Sequence, residues 1–154
     1  MSYFKRTIDG EVGTLEFDTP NSSVNILCSA AVTELDQHLD EIANCADIKV
    51  LLFTSAKKSI FIAGADIKEI DSITNPQEAI EKCNRGKEVL NKLESLPQIT
   101  VAVINGACLG GGYELSLACD YRVAGFAGYV KIGLPEVRLG ILPGFGGCVR
   151  LPEL

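Results

Sequence analysis

The sequence predicts an α/β fold with mainly parallel strand pairing, and two observations carry that prediction. Apolar runs of strand length alternate with segments whose apolar residues fall at helical spacing. No linker, internal repeat, low-complexity stretch or charge run divides the 154 residues, so one domain spanning residues 1–154 is expected.

Taken in order, Phe4–Ile8 and Val12–Phe17 flank Asp9-Gly10 and read as a hairpin. Ser29 is placed to cap a helix whose apolar positions are Val32, Leu35, Leu39 and Ile42. His38, the only histidine, lies in that helix and reads as a half-exposed residue, because a metal site needs further ligands at suitable spacing. Val50–Thr54 and Phe61–Ala63 read as strands, and Gly64-Ala65-Asp66 turns into a short helical stretch, Ile67–Asp71. Asn75-Pro76-Gln77-Glu78 has the pattern of a helix start, with Asn75 as cap, Pro76 at the first position and Glu78 closing a capping box. Ile80, Cys83, Leu90 and Leu93 give that helix one apolar face, Pro97 ends it, and Ile99–Ile104 is a further strand. A last helix begins near Gly147 and is cut after two turns, so a longer chain is expected.

The bulk properties exclude several classes of function. A net charge of −6 argues against a surface that tracks nucleic-acid phosphates. The N-terminus has no apolar core of a signal peptide, and no apolar run reaches the ~18 residues of a membrane span. Six scattered cysteines without a C-x-x-C read as buried thiols in a reducing compartment, so a cytoplasmic location is expected.

The informative stretch is AVINGACLGGGYELSLACDYRVAG, Ala102–Gly125. A strand meets three glycines, Gly110-Gly111-Gly112, and a carboxylate follows at Glu114 inside an apolar segment. A helix starting near Gly111 would present free N–H groups to developing negative charge. The same residues are also compatible with a tight strand-to-helix turn in which Glu114 only complements the helix dipole. The glycines form neither a P-loop nor, at Gly144–Gly147, a dinucleotide fingerprint, and no G-x-S-x-G is present. Ala63–Ile67 repeats the theme of a strand end running into exposed backbone N–H groups, with Asp66 most simply a cap. Gly133-Leu134-Pro135-Glu136-Val137 again sets a carboxylate in a mostly apolar run, either buried or as a solvated loop glutamate.

Three segments, IAGADIKEI, INGACLGGGYELSLACDYRVA and GLPEVRLGILPGFGG, together resemble the signatures of the crotonase (enoyl-CoA hydratase/isomerase) superfamily, in its order and at its separations. The wording GLPEVRLGILPGFGG followed by RLP is most similar to the N-terminal hydratase part of multifunctional fatty-acid oxidation proteins. The resemblance implies a spiral of repeated ββα units, truncated here before the C-terminal helices. It implies hydration of a trans-2-enoyl-CoA to 3-hydroxyacyl-CoA, with isomerisation or another enolate reaction, or non-catalytic acyl-CoA binding, as alternatives.

By motif match, the resemblance makes Glu114 and Glu136 the catalytic carboxylates and the N–H groups of Ala65 and Gly111 an oxyanion hole. At Gly111 a side chain would collide with the thioester. Substrate binding falls to Ala63, Gly64, Ala65, Asp66, Ile67, Gly110 and Gly111, with Lys57 or Lys68 near the phosphates of coenzyme A. No metal or cofactor is implied for hydration, and NAD only if a dehydrogenase domain follows. The implied partners are an acyl-CoA substrate and, in a full-length protein, further copies of the chain or a thiolase, with no nucleic acid and no membrane span.

Overall fold

The computed structural model describes residues 2–154, and successive strand–strand–helix units build it. The first unit is β1 (Phe4–Asp9), β2 (Val12–Phe17) and α1 (Ser29–Ala43). The second is β3 (Val50–Ser55) and β4 (Ile60–Ile62), followed by α2 (Ile67–Asp71) and α3 (Pro76–Glu94). The third is β5 (Ile99–Ile104), β6 (Ala107–Leu109) and α4 (Gly111–Leu117). The fourth is β7 (Tyr121–Ala124) and β8 (Ile132–Gly133), a 3-10 turn at Glu136–Leu139 and α5 (Gly147–Arg150), ending in the 3-10 turn Leu151–Glu153. This is the expected spiral of ββα units.

After the first unit, each pair of strands is shared between two sheets. The first strands join a five-stranded sheet of order β1-β2-β3-β5-β7, and the second strands form a three-stranded sheet, β4-β6-β8. Apart from the β1–β2 hairpin, all pairings are parallel. The hairpin loop is Gly10-Glu11, one residue later than expected, because Asp9 pairs with Val12. Gly10 has φ +56° and Glu11 does not have positive φ, as a II′ turn requires of a glycine in the first loop position.

The large sheet is fixed in register by alternation. Leu15, Phe53 and Ala102 are aligned across β2, β3 and β5, all buried, and a slip by one residue would turn each to the other face. Leu35, Leu39 and Ile42 of α1 and Val89, Leu90 and Leu93 of α3 join that core. Arg85 and Lys92 of α3 pair with Asp36 of α1 across the helix contact. Asn25, fully buried, straps residues 19–27 to the strands. Its amide donates to the carbonyls of Phe17 (2.9 Å) and Phe61 (3.1 Å), and its Oδ1 accepts from the Thr19 N–H.

Several expectations change. Ser29 is the first residue of α1 rather than its cap; the cap is Cys28, without a side-chain bond. The Ser29 N–H and Oγ instead donate to the Glu69 carboxylate of α2, 3.0 and 2.6 Å away, so a distant element satisfies that helix end. Asn75 does cap α3, accepting from Glu78 N at 2.9 Å. The apolar face of α3 begins later than its spacing suggests. Ile80 is half exposed and Cys83 only partly buried, because the first turns of α3 overhang a cavity instead of the sheet. Of the six cysteines, only Cys108 and Cys119 are buried, and burial pushes their thiols up to about 11 and about 12. Cys148 is exposed. Strands β6, β7 and β8 are not expected from the sequence, and two of them are only three and two residues long, too short to show a period of two. Among the described residues, no helix is long and apolar enough to cross a membrane, and no acidic, histidine and cysteine cluster could hold a metal.

Candidate active site

The small sheet decides where the chemistry lies. Its three parallel strands point their C-terminal ends the same way, and each end runs into one of the segments singled out above. β4 leads into Ala63–Ile67, β6 into Gly110-Gly111-Gly112, and β8 into Leu134-Pro135-Glu136. Carboxyl ends of parallel strands are where α/β folds gather ligand-binding loops. Two of the ends are tied together directly, Gly110 N donating to Gly133 O at 3.0 Å, and the segment before α1 is tied to the third, Leu27 N donating to Gly64 O at 2.9 Å.

A cavity of about 530 Å³ opens there, and Ala63, Gly64, Ala65, Asp66, Ile67, Gly110, Gly111, Glu114 and Glu136 all line it. Its remaining wall is mainly apolar, from Leu27, Val32, Ile70, Leu139, Leu142 and Phe145. Lys57 and Lys68 do not line it. Lys57 turns instead to Asp18 and the Thr19 carbonyl, and the basic side chains at the rim are Lys82, Arg85 and Arg138. Asp66 caps α2, accepting from Lys68 N at 2.9 Å.

Each glycine of the triplet has its own reason. Gly110 adopts φ +53°, and a Cβ there would lie 3.0 Å from Glu136 Oε1, so the carboxylate rests against bare backbone. A Cβ on Gly112 would meet Ile62 Cβ at 2.5 Å and its carbonyl at 2.7 Å, so α4 can press onto β4 only through glycine. Gly111 is different: a Cβ would find Leu27, Phe145 and Ala65 N no nearer than 3.5 Å, ordinary contact. The protein itself leaves room at Gly111, and that room belongs to the cavity. Among the described residues, neither the Gly111 N–H nor the neighbouring Ala65 N–H has an acceptor.

Two carboxylates share this space. Glu114 is 2% and Glu136 8% exposed, values that exclude the solvated-loop reading of Glu136. Glu114 Oε1 accepts from Phe145 N and Gly147 N, both at 2.8 Å, while Oε2 has no partner among the described residues. Burial raises the Glu114 pKa above the ordinary carboxylate value; the two amides oppose the rise, the Glu136 charge adds to it, and Arg150 opposes it. Glu136 Oε2 is likewise buried without a partner among the described residues. Such an orphan costs about 1–3 kcal/mol in a site without a ligand. The arrangement suits a ligand that brings a carbonyl to the free N–H groups and exchanges protons with the carboxylates.

Phe145, Gly147 and Arg150 escaped the sequence reading. The GFGG stretch is no nucleotide fingerprint and closes a family signature, and the signal for its role in holding a carboxylate is that closely spaced glycines offer backbone N–H groups at close range.

Comparisons with known proteins show what the chain is similar to. The family model described as Enoyl-CoA hydratase/isomerase matches residues 7–154. A fatty acid oxidation complex subunit alpha from Aliivibrio fischeri is 48% identical over 147 residues, which are 95% of this chain and 21% of that protein. Its counterpart from Shewanella halifaxensis is 45% identical over 146 residues, with the same coverage. The chain thus spans about a fifth of the length of these curated relatives. Among solved structures, an enoyl-CoA hydratase from Bacillus anthracis superposes with a TM-score of 0.90 at 36% identity, covering 99% of this chain and 58% of that one. Pseudomonas aeruginosa DspI gives 0.90 at 28% identity, covering 100% and 61%.

Proposed function

The chain belongs to the enoyl-CoA hydratase/isomerase family, and from that premise we propose that it hydrates trans-2-enoyl-CoA thioesters in fatty-acid β-oxidation. One observation carries the reading: two buried carboxylates and two free backbone N–H groups line one cavity at the ends of three parallel strands. A non-catalytic acyl-CoA binder has no use for a pair of buried carboxylates, whose desolvation is costly.

In this proposal the thioester oxygen sits between the Ala65 and Gly111 N–H groups. Glu114, held through Oε1, uses Oε2 to take a proton from water as the water oxygen bonds to Cβ. The double-bond electrons move onto the thioester oxygen, where the two N–H groups stabilise the enolate. Removing one such donor typically costs ~2.7–4 kcal/mol of transition-state stabilisation. Glu136 gives a proton to Cα, the double bond to oxygen re-forms, and proton exchange between the two carboxylates restores the starting state. The raised pKa of Glu114 makes it a stronger base than a solvated carboxylate. Hydration moves no electrons to an acceptor, so the step requires no NAD. A place in a larger fatty-acid oxidation complex extends the same proposal, supported by the relatives' name, and a cytoplasmic location with a thiolase as partner subunit is carried over from the family resemblance alone.

Isomerisation is the second reading, favoured by the unpartnered Oε2 of Glu136, because one carboxylate can shuttle a proton along an enoyl chain. The test is hydration of crotonyl-CoA by the full-length protein and by its Glu114→Gln variant. Hydration lost in the variant supports the proposal, whereas a wild type that isomerises but does not hydrate overturns it in favour of the second reading.

A further inference from the structure

Arg150 of α5 is nearly buried, its side chain 9% exposed, although it does not itself line the cavity. Its guanidinium fork makes four hydrogen bonds. Nη2 donates to Asn91 Oδ1 at 2.6 Å and to Glu94 Oε2 at 2.8 Å, and Nε donates to Glu94 Oε2 at 3.2 Å, all on α3. Nη1 donates to the Phe145 carbonyl at 3.0 Å. The Phe145 residue is therefore held at both ends, since its N–H is one of the two donors on Glu114 Oε1.

The loop between them is shaped for this contact. Gly146 takes φ +106°, and a Cβ there would lie 2.4 Å from Arg150 Nη1, so only glycine lets the guanidinium reach the Phe145 carbonyl. A Cβ on Gly147 would come within 3.0 Å of Glu114 Cγ and 3.1 Å of its Oε1. One glycine is thus fitted to the arginine and the next to the glutamate.

We propose that Arg150 is a positioning residue for Glu114, fixing residues 145–147 on α3 so that two N–H groups pin Oε1 and leave Oε2 to the reacting water. The role rests on the hydratase reading. Arg150 touches neither substrate nor reacting atoms, and lysine cannot replace it, because an ammonium is a point donor rather than a planar fork. The Arg150 charge also opposes the rise in the Glu114 pKa. The ionisable side chains on the elements around α4 are Glu136 and Arg138 on the 3-10 turn, Cys108 on β6, Tyr121 and Arg122 on β7 and Cys148 on α5, besides Arg150 itself.

The test uses the full-length protein with Arg150→Met, Arg150→Lys and Glu94→Gln. Arg150→Met is expected to lower kcat for crotonyl-CoA hydration by ~10- to 100-fold, the cost of a misplaced catalytic group. KM changes by less than about threefold, and the acid limb of the kcat profile moves to higher pH, because both influences holding the Glu114 pKa down weaken. Arg150→Lys is expected to return the acid limb toward wild type without restoring kcat, and Glu94→Gln to give a milder loss. A merely structural arginine would lower Tm while leaving kcat per folded molecule and the acid limb unchanged, which overturns the proposal. A crystal structure of Arg150→Met that keeps both amide contacts on Glu114 Oε1 overturns it equally, whatever the activity. A wild type without hydratase activity sinks the hydratase reading instead, and that crystal structure still decides whether Arg150 holds the loop.

Discussion

Gly86 lies in the middle of α3 and is buried, where alanine would ordinarily improve a helix by about 0.8–1.0 kcal/mol. The structure predicts the opposite sign. A Cβ at Gly86 would lie 2.2, 2.3 and 2.6 Å from Cε1, Cδ1 and Cζ of Phe145. Carbon atoms prefer about 3.5–4.0 Å, so the overlap exceeds about 1 Å along one edge of the ring. Overpacking of this kind costs about 1–3 kcal/mol, and after the propensity gain a net loss near 1 kcal/mol remains for Gly86→Ala. Urea unfolding of the wild type, Gly86→Ala, Phe145→Ala and the double variant measures the cycle. With the ring removed, Gly86→Ala is expected to stabilise by about 0.8–1.0 kcal/mol, giving a coupling of ~1–3 kcal/mol. Stabilisation by Gly86→Ala in the wild-type background, with coupling inside the ~0.3–0.5 kcal/mol of independent sites, would refute the seating of Phe145 on α3.

Glu114→Gln is expected to slow crotonyl-CoA hydration at least ~100-fold while leaving acyl-CoA affinity nearly unchanged, as steady-state rates and calorimetry will show. The same variant has a signature in stability. The folded pKa of Glu114 is raised, mainly by burial, so its stability contribution is complete below the unfolded value of about 4.3 and lost as pH rises through the folded value. Glu114→Gln should therefore raise Tm at pH 8, with the gap closing toward pH 4; a gap that widens in acid contradicts the shift. Gly111→Pro removes one proposed oxyanion donor at the first position of α4, where helices accept proline, so a folded but inactive protein is expected and full activity would misplace the hole. Asn25→Ala strands the Phe61 carbonyl and the Thr19 N–H, leaves the Phe17 carbonyl with only the Ala56 N–H, and is expected to cost at least ~2 kcal/mol in urea unfolding; a change below ~0.5 kcal/mol would show that water takes over those bonds.

What the sequence determined by itself was local. The hairpin, the longer strands, the cap at Asn75 and the start of α4 at Gly111 follow from propensity, capping and glycine placement within a few residues. For the same reason the three chemical segments were legible, each being a strand end followed by small residues and a carboxylate. Their convergence was not, because it depends on β4, β6 and β8 lying side by side, and the last two are too short to betray themselves by periodicity. Residues joined across long separations escaped equally. Glu69 holding the start of α1, Phe145 and Gly147 pinning Glu114, and Arg150 reaching Asn91 and Glu94 all pair groups that lie 31 or more residues apart. Position on the chain constrains such contacts only weakly, since closing a loop costs free energy that grows merely with the logarithm of its length. Tertiary packing chose which glutamate oxygen is held and which is left free, because only the folded glycine loop brings two N–H groups to the same atom.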